Sequence, residues 1–163
     1  MELKYEKKDV YTNLNKTELK KADEIADNYL EFLNKGKTEY LCVEEALKLL
    51  NDNGFVDISK KDKLVKGDKV YFVNRDKSLY AAVIGKEKID QGLNIIGAHI
   101  DSPRLDLKPM PMFEKQGTLL LKTQYYGGIK KYQWMSIPLA MHGVIFNEKG
   151  ERIKIDVGED DDD

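Results

Sequence analysis

Apolar residues recur at helical spacing in two segments near the start of the chain. Over residues 16–34 they follow one another at steps of three and four, which is the repeat of an amphipathic helix. These apolar positions are Leu19, Ala22, Ala26, Tyr29, Leu30 and Leu33. Asn15 or Thr17 can cap the start of this helix, and Gly36 stands just past its end. A narrower apolar face predicts a second helix over about residues 43–51.

Farther along the chain, the apolar pattern predicts strands. Residues 69–73 and 79–84 flank the polar segment 74–78, which is the composition of a β-hairpin with a longer loop. Residues 93–99 form a mostly apolar run, typical of a strand buried on both faces at the centre of a sheet flanked by helices. The first part of the chain is therefore predicted to be α/β or α+β.

Three prolines then interrupt the chain, Pro103, Pro109 and Pro111. Because proline fixes its own φ and restricts the residue before it, this segment is predicted to be extended and irregular. Beyond it, the pattern predicts a strand over 118–123, a turn over 125–128 and a hairpin formed by 139–146 and 152–157. The second part is therefore β-rich, with a boundary expected near the prolines.

Composition and charge narrow the class of protein. The chain has 163 residues, of which 41% are apolar, so one packed domain with a sizeable core is expected. The 27 basic and 29 acidic residues nearly balance, which argues against a nucleic-acid partner held by phosphate contacts. No apolar run is long enough to cross a bilayer, and no secretory signal is recognisable, so no membrane partner and a cytoplasmic location are expected.

The sharpest chemical feature is the segment from Gly97 to Pro103, which contains His99 and Asp101. Residues two apart in extended backbone point to the same face, so the imidazole and the carboxylate can converge on one metal ion. His99 would be a neutral ligand, and Asp101 would bind the ion or hold an imidazole. The alternative is that a backbone carbonyl accepts a hydrogen bond from His99 and that Asp101 caps a turn. A motif of three residues, one of them variable, is too short to decide between the two interpretations.

A longer stretch around this motif resembles a known family. Residues 94–109 closely resemble the first metal-ligand segment of the aspartyl aminopeptidase and vacuolar aminopeptidase I family, whose members are dinuclear zinc aminopeptidases. Further similar segments are residues 43–50 with Gly54 and Phe55, residues 126–128 with Trp134, and residues 157–161. The resemblance covers nearly the whole chain from about residue 20.

The resemblance implies a fold and an activity. His99 is expected to ligate one of two zinc ions, and Asp101 to act as a catalytic residue beside the metals that orients and tunes a ligand. The implied reaction is hydrolysis of the N-terminal peptide bond of a peptide substrate by water that two zinc ions activate, with a glutamate as general base. The implied fold is an α/β zinc-peptidase domain, here residues 1–105, that leads into an inserted β-rich domain, here residues 106–163. That inserted domain mediates dimerisation, so a homo-oligomer is expected.

The chain departs from the family pattern in one respect. Nothing in it matches the family's later acidic ligands, general-base glutamate or second metal-binding histidine, and one histidine with one aspartate cannot bind two zinc ions. We therefore expect the N-terminal portion of a longer enzyme, inactive by itself. The alternative is a truncated, catalytically inactive homologue that acts only through its oligomerisation surfaces.

Other conspicuous residues have ordinary structural explanations. His142 is expected on one face of a strand as a structural or interface residue, and Cys42 as a buried, unreactive thiol. Arg104 and Lys108 follow the motif, and three interpretations stay open for them: contact with an acidic substrate, a salt bridge, or exposure to solvent. Three aromatic residues are expected to pack or form an interface rather than line a pocket: Tyr125, Tyr126 and Trp134.

Overall fold

Two helices precede a series of short paired strands. The computed structural model describes residues 7 and 9–160, so residues 161–163 of the acidic terminus lie outside it. The helices are α1 (Lys16–Lys35), α2 (Glu39–Asp52) and the short α3 (Lys131–Trp134). The strands are β1 (Val56–Asp57), β2 (Lys69–Asn74), β3 (Ser78–Val83), β4 (Arg104–Lys115), β5 (Thr118–Tyr126), β6 (Met141–Phe146) and β7 (Arg152–Val157). None of the helices within this described part is long and apolar enough to cross a membrane.

Helix α1 confirms the predicted helix and settles how it begins. The side-chain oxygen of Asn15 accepts hydrogen bonds from the backbone N–H groups of Thr17 and Glu18, at 2.9 and 3.0 Å. The Glu18 carboxylate accepts one in return from the Asn15 N–H at 2.8 Å, which completes a capping box. At the other end, the Gly36 N–H donates to the Phe32 carbonyl. The cap is therefore Asn15 and not Thr17.

Helix α2 begins four residues earlier than the apolar pattern predicts. Thr38 caps it, since its hydroxyl oxygen accepts a hydrogen bond from the Leu41 N–H at 3.3 Å. The buried face of α2 carries Cys42 and Val43, and the Cys42 thiol donates to the Gly36 carbonyl oxygen at 3.1 Å. This contact joins α2 to the end of α1.

A small three-stranded sheet adjoins the helices. Strand β1, which the sequence pattern did not predict, pairs parallel to β2, and β2 pairs antiparallel to β3 as the predicted hairpin. In the described part of the chain only four residues are less than 9% exposed: Gly36, Cys42, Val43 and Val70. The expectation of a sizeable core is therefore wrong for the described part of the chain, because most of its large apolar side chains have no neighbour that covers them.

The predicted buried strand over residues 93–99 is not formed. This segment has no regular structure, and Ile95 and Ile96 are 82% and 99% exposed. A strand needs a neighbour to accept and donate its backbone hydrogen bonds, and no strand among residues 9–160 pairs with this segment. The apolar run is real, but an apolar composition alone does not bury it.

Strands β4 and β5 form a long antiparallel ribbon. Strand β4 was not predicted, because the segment contains two prolines. The prediction of an irregular segment is half right: β4 runs through Pro109 and Pro111, but its register shifts there. Leu107 faces Thr123 and Met112 faces Leu121, so residues 108–111 lie opposite Lys122 alone. Prolines are tolerated at such irregularities because the ladder there needs no N–H from them. Strand β5 continues to Tyr126, so the turn predicted from residue 125 begins two residues later, at Gly127.

The last hairpin, β6–β7, has the predicted strands and turn and lies near α2. Its strands pair from Met141 with Val157 to Phe146 with Arg152. Lys154 lies 3.8 Å from Glu44 of α2, and Glu159, just after β7, lies 3.9 Å from Lys37 in the α1–α2 connection. Exposed ion pairs of this length are weak, so they indicate proximity more than stability.

A close approach at Gly36 generates a stability prediction. A Cβ atom at this position would lie 2.7 Å from Cys42 Sγ and 3.1 Å from the Phe32 carbonyl oxygen. We expect Gly36→Ala to lower the free energy of unfolding by about 1–3 kcal/mol through overpacking, as measured by urea denaturation. The matched control is Gly85→Ala, since a Cβ there meets nothing within 4 Å. Equal effects of the two substitutions would contradict the steric explanation.

The burial of Cys42 generates a reactivity prediction. Burial, and then the negative charge of Glu39, raise the pKa of this thiol above its ordinary value. Since the thiolate is the nucleophile, we expect alkylation by iodoacetamide at neutral pH to be about tenfold or more slower in the folded chain than in urea. Cys42 is the only cysteine in the sequence, so the rate reports on this site alone. Equal rates in the folded and unfolded chain would show that the thiol is accessible.

Candidate functional site

The structure brings His99 and Asp101 together, as the motif predicted, but in a loop rather than on a strand. His99 Nδ1 lies 2.9 Å from the backbone carbonyl oxygen of Asp101 and 3.2 Å from its Oδ1. A carbonyl oxygen only accepts, so the Nδ1 atom carries the proton in this contact. The His99 side chain is 84% exposed, and its Nε2 makes no hydrogen bond with the described residues. The backbone-carbonyl contact of the alternative interpretation is thus present, and it leaves the second ring nitrogen available.

Asp101 is held by a residue that sequence analysis did not place at the site. The hydroxyl of Tyr126, at the end of β5, donates a hydrogen bond to Asp101 Oδ2 at 2.7 Å. This bond is the main reason why the pKa of Asp101 lies below its ordinary value, and it raises the pKa of Tyr126 in turn. Asp101 therefore stays ionised to lower pH. The two residues are 25 positions apart, and no local pattern marks the contact.

Arg104 occupies the other side of Tyr126. The two residues are direct partners in the β4–β5 ladder, and the guanidinium carbon lies 4.1 Å from the centre of the tyrosine ring. Arg104 Nε donates to Asp106 Oδ1 at 2.7 Å, and its Nη1 lies 3.3 Å from Glu39 Oε1 on α2. Burial opposes its charge, but the hydrogen bond to Asp106 and the charge of Glu39 outweigh burial and raise its pKa. The salt-bridge interpretation of Arg104 is confirmed.

His142 lies in a separate acidic setting on β6. Its Nδ1 is 3.0 Å from Oδ1 of Asp156, its partner in the ladder, and its Nε2 is 3.1 Å from Oε1 of Glu159. The contact with Asp156 is not aligned as a hydrogen bond, whereas the contact with Glu159 is. His142 also lines a groove between α2, the ribbon and the last hairpin, and neither His99 nor Asp101 lines that groove. The structural role expected for His142 agrees with these contacts.

The donor atoms of the motif fit part of a zinc site. Catalytic zinc needs three protein ligands and an open position, and residues 9–160 contain no group of three or more His, Cys, Asp or Glu side chains that could hold a metal. His99 alone has the features of one ligand, since Nδ1 is engaged by a carbonyl and a carboxylate while Nε2 is exposed. The motif therefore fits one ligand position and not a complete centre.

Comparison with known proteins gives a consistent result. Residues 32–163 match the family described as "Aminopeptidase I zinc metalloprotease (M18)". A "Probable M18 family aminopeptidase 1" from Clostridium acetobutylicum is 44% identical over 162 residues, which are 97% of this chain and 35% of the relative. The chain spans about a third of the length of the curated relatives it matches.

Solved structures of similar proteins share the fold of the described residues. A crystal structure of aminopeptidase I from Borrelia burgdorferi superposes with a TM-score of 0.91 at 40% identity, covering 96% of this chain and 39% of that one. An M18-family aminopeptidase from Thermotoga maritima gives a TM-score of 0.88 at 42% identity, covering 98% and 35%. From the matched sequence and the shared fold, we conclude that this chain belongs to the aminopeptidase I zinc metalloprotease (M18) family.

Proposed function

We propose that this chain supplies the first zinc ligand of a metal-dependent aminopeptidase, with His99 as the ligand through Nε2 and Asp101 as the catalytic residue that orients it. The observation that carries the proposal is the contact of His99 Nδ1 with the Asp101 carbonyl oxygen at 2.9 Å. Membership of a family of zinc metalloproteases supports it independently.

The tautomer of His99 follows from this contact. With its proton on Nδ1, the neutral imidazole keeps a lone pair on Nε2, and histidines that bind metals through Nε2 have this arrangement. The exposure of the ring leaves Nε2 open to further ligands of the same ion. His99 would therefore bind without rearrangement of its own hydrogen bond.

Asp101 contributes through its charge. Its Oδ1 lies 3.2 Å from His99 Nδ1, and an ionised carboxylate there makes the imidazole a better electron-pair donor. The lowered pKa of Asp101 keeps that charge down to more acidic pH. Asp101 thus holds the ring orientation and tunes Nε2 at the same time.

Zinc, when bound, supplies Lewis-acid chemistry that polarises a peptide carbonyl and activates water. We infer that two ions act, and that the remaining ligands and the general-base glutamate come from sequence outside this chain. Two observations support this: the chain spans about a third of its relatives, and its described residues contain no complete metal-binding group. By itself the chain would then be inactive.

The remaining expectations from the sequence belong to this proposal. A peptide substrate is supported by the family's description as a metalloprotease. The homo-oligomeric state, the cytoplasmic location and the division between residues 1–105 of a peptidase domain and residues 106–163 of an inserted domain stay predictions.

A second candidate function rests on the exposed apolar surface. Many large apolar side chains of the described residues are uncovered, among them Ile96, Met110 and Met135 at 99%, 89% and 88% exposure, and uncovered apolar surface favours association where it is contiguous. In this alternative, the chain is an inactive homologue that acts only through its oligomerisation surfaces.

Zinc titration tests the assignment of His99. We expect zinc to shift the Nε2 resonance of His99 when the ¹⁵N-labelled chain is combined with a polypeptide that provides the remaining ligands. His99→Ala should weaken this binding about tenfold or more, since the ligand itself is lost. His142→Gln is the matched control, because these are the only two histidines in the sequence. If zinc shifted only the His142 resonances, the assignment of His99 would be wrong.

Native mass spectrometry of the purified protein, combined with an aminopeptidase assay, separates the two candidate functions. We expect this chain alone to carry no tightly held pair of zinc ions and to hydrolyse no aminoacyl substrate. Turnover should appear only with a polypeptide that provides the missing ligands and about two zinc ions for each active unit. Oligomers of this chain that stay inactive when combined with such a polypeptide would instead support the association function.

A further inference from the structure

Tyr126 makes two contacts that link the candidate metal ligand to the β-ribbon. Its hydroxyl donates to Asp101 Oδ2 at 2.7 Å, and its ring lies against the guanidinium of Arg104. We propose that Tyr126 is a positioning residue: it fixes Asp101, and Asp101 then fixes His99 in the tautomer that leaves Nε2 free for a metal. This inference rests on the proposed function, in which His99 is a zinc ligand.

The loop that carries His99 depends on contacts of this kind. Residues 92–103 have no helix or strand to hold them, and the His99 side chain is 84% exposed. Two hydrogen bonds tie residues 99–102 to the ribbon among the described residues: the Tyr126–Asp101 bond, and a longer one of 3.4 Å from Arg104 Nη1 to the Ser102 carbonyl. The Tyr126 bond is the shorter of the two, and its acceptor is the carboxyl group that also contacts His99.

Tyr126 is itself held in place from the opposite side. Arg104 is its partner in the ladder, and Arg104 is anchored by Asp106 on its own strand and by Glu39 on α2. A guanidinium that is fixed by two carboxylates restricts the tilt of the ring on which it lies. Helix α2, the ribbon and the His99 motif are thereby connected through one continuous set of contacts.

Packing of the ring alone does not explain the hydrogen bond that the Tyr126 hydroxyl makes with Asp101. The residue is 42% exposed, so its ring is not a core residue whose polar end merely needs a partner. Its neighbour Tyr125 provides a direct comparison, since consecutive strand residues face opposite sides. The centre of the Tyr125 ring lies 4.1 Å from Lys131 Nζ. The tyrosine whose hydroxyl donates a hydrogen bond to Asp101 is Tyr126.

The test compares Tyr126→Phe with Tyr125→Phe in the whole chain. Each substitution removes one hydroxyl group and keeps the ring, so the contact of ring 126 with Arg104 is preserved. Long-range ¹H–¹⁵N NMR spectra at about pH 8.5, above the usual range of imidazole pKa values, report the tautomer of His99 without any metal. Backbone amide spectra of β4 and β5 show whether the ribbon is intact.

We expect Tyr126→Phe to shift His99 from the Nδ1–H form toward a mixture of tautomers, and to weaken zinc binding at Nε2 by about tenfold, as the loss of such supporting groups does. Tyr125→Phe should change neither quantity. A general loss of structure would change the amide spectrum and could not by itself produce a tautomer change confined to His99.

Two outcomes separate this inference from the proposed function. If Tyr126→Phe left the His99 tautomer and the zinc affinity unchanged while zinc still bound His99, the positioning role would be overturned and the proposed function would stand. If Tyr126→Phe changed the tautomer but zinc never shifted His99 Nε2 in the unsubstituted chain, even when a polypeptide that provides the remaining ligands was present, the proposed function would fall. The role of the hydroxyl in holding His99 would then be confirmed.

Discussion

Arg104 and Tyr126 face each other across the β4–β5 ribbon, and the polar side chains around His99 take their positions from that pairing. The ladder places the two side chains next to each other, with the guanidinium carbon 4.1 Å from the centre of the ring whose hydroxyl donates to Asp101. Without this register, Asp101 would have no partner on the ribbon. The local order of the motif is therefore a property of two strands rather than of the loop that carries it.

The small buried core contrasts with the close match of this fold to solved structures of the family. Four residues with less than 9% exposure among those the structure describes are few for a chain of this length. Its fold nevertheless superposes closely on aminopeptidases of which it covers little more than a third. The secondary structure is thus defined by local signals, such as the capping box of α1 and the hairpin registers, while much of the apolar surface has no covering element within the described residues.

Local signals also explain what could be predicted from the sequence. The helical repeat predicted α1 to within one residue, and the turn composition of residues 147–150 between two strand segments predicted the last hairpin. The apolar run at residues 93–99 misled because strand formation depends on a partner that composition does not reveal. His99 and Asp101 could be found as a pair because they are two residues apart, whereas Tyr126 is 25 residues from Asp101 and carries no mark of its role.

The register shift divides the ribbon into an inner half, where residues 104–107 pair with 123–126, and an outer half, where residues 112–115 pair with 118–121. Residues 108–111 stand opposite a single residue, Lys122, so the outer half of the ribbon is not bound to the inner half by a continuous ladder. Such an irregularity can absorb insertions or deletions, because an added residue enlarges the bulge instead of sliding every pair along the strand. An insertion at the bulge would therefore leave Arg104 opposite Tyr126 at the end of the ribbon next to His99.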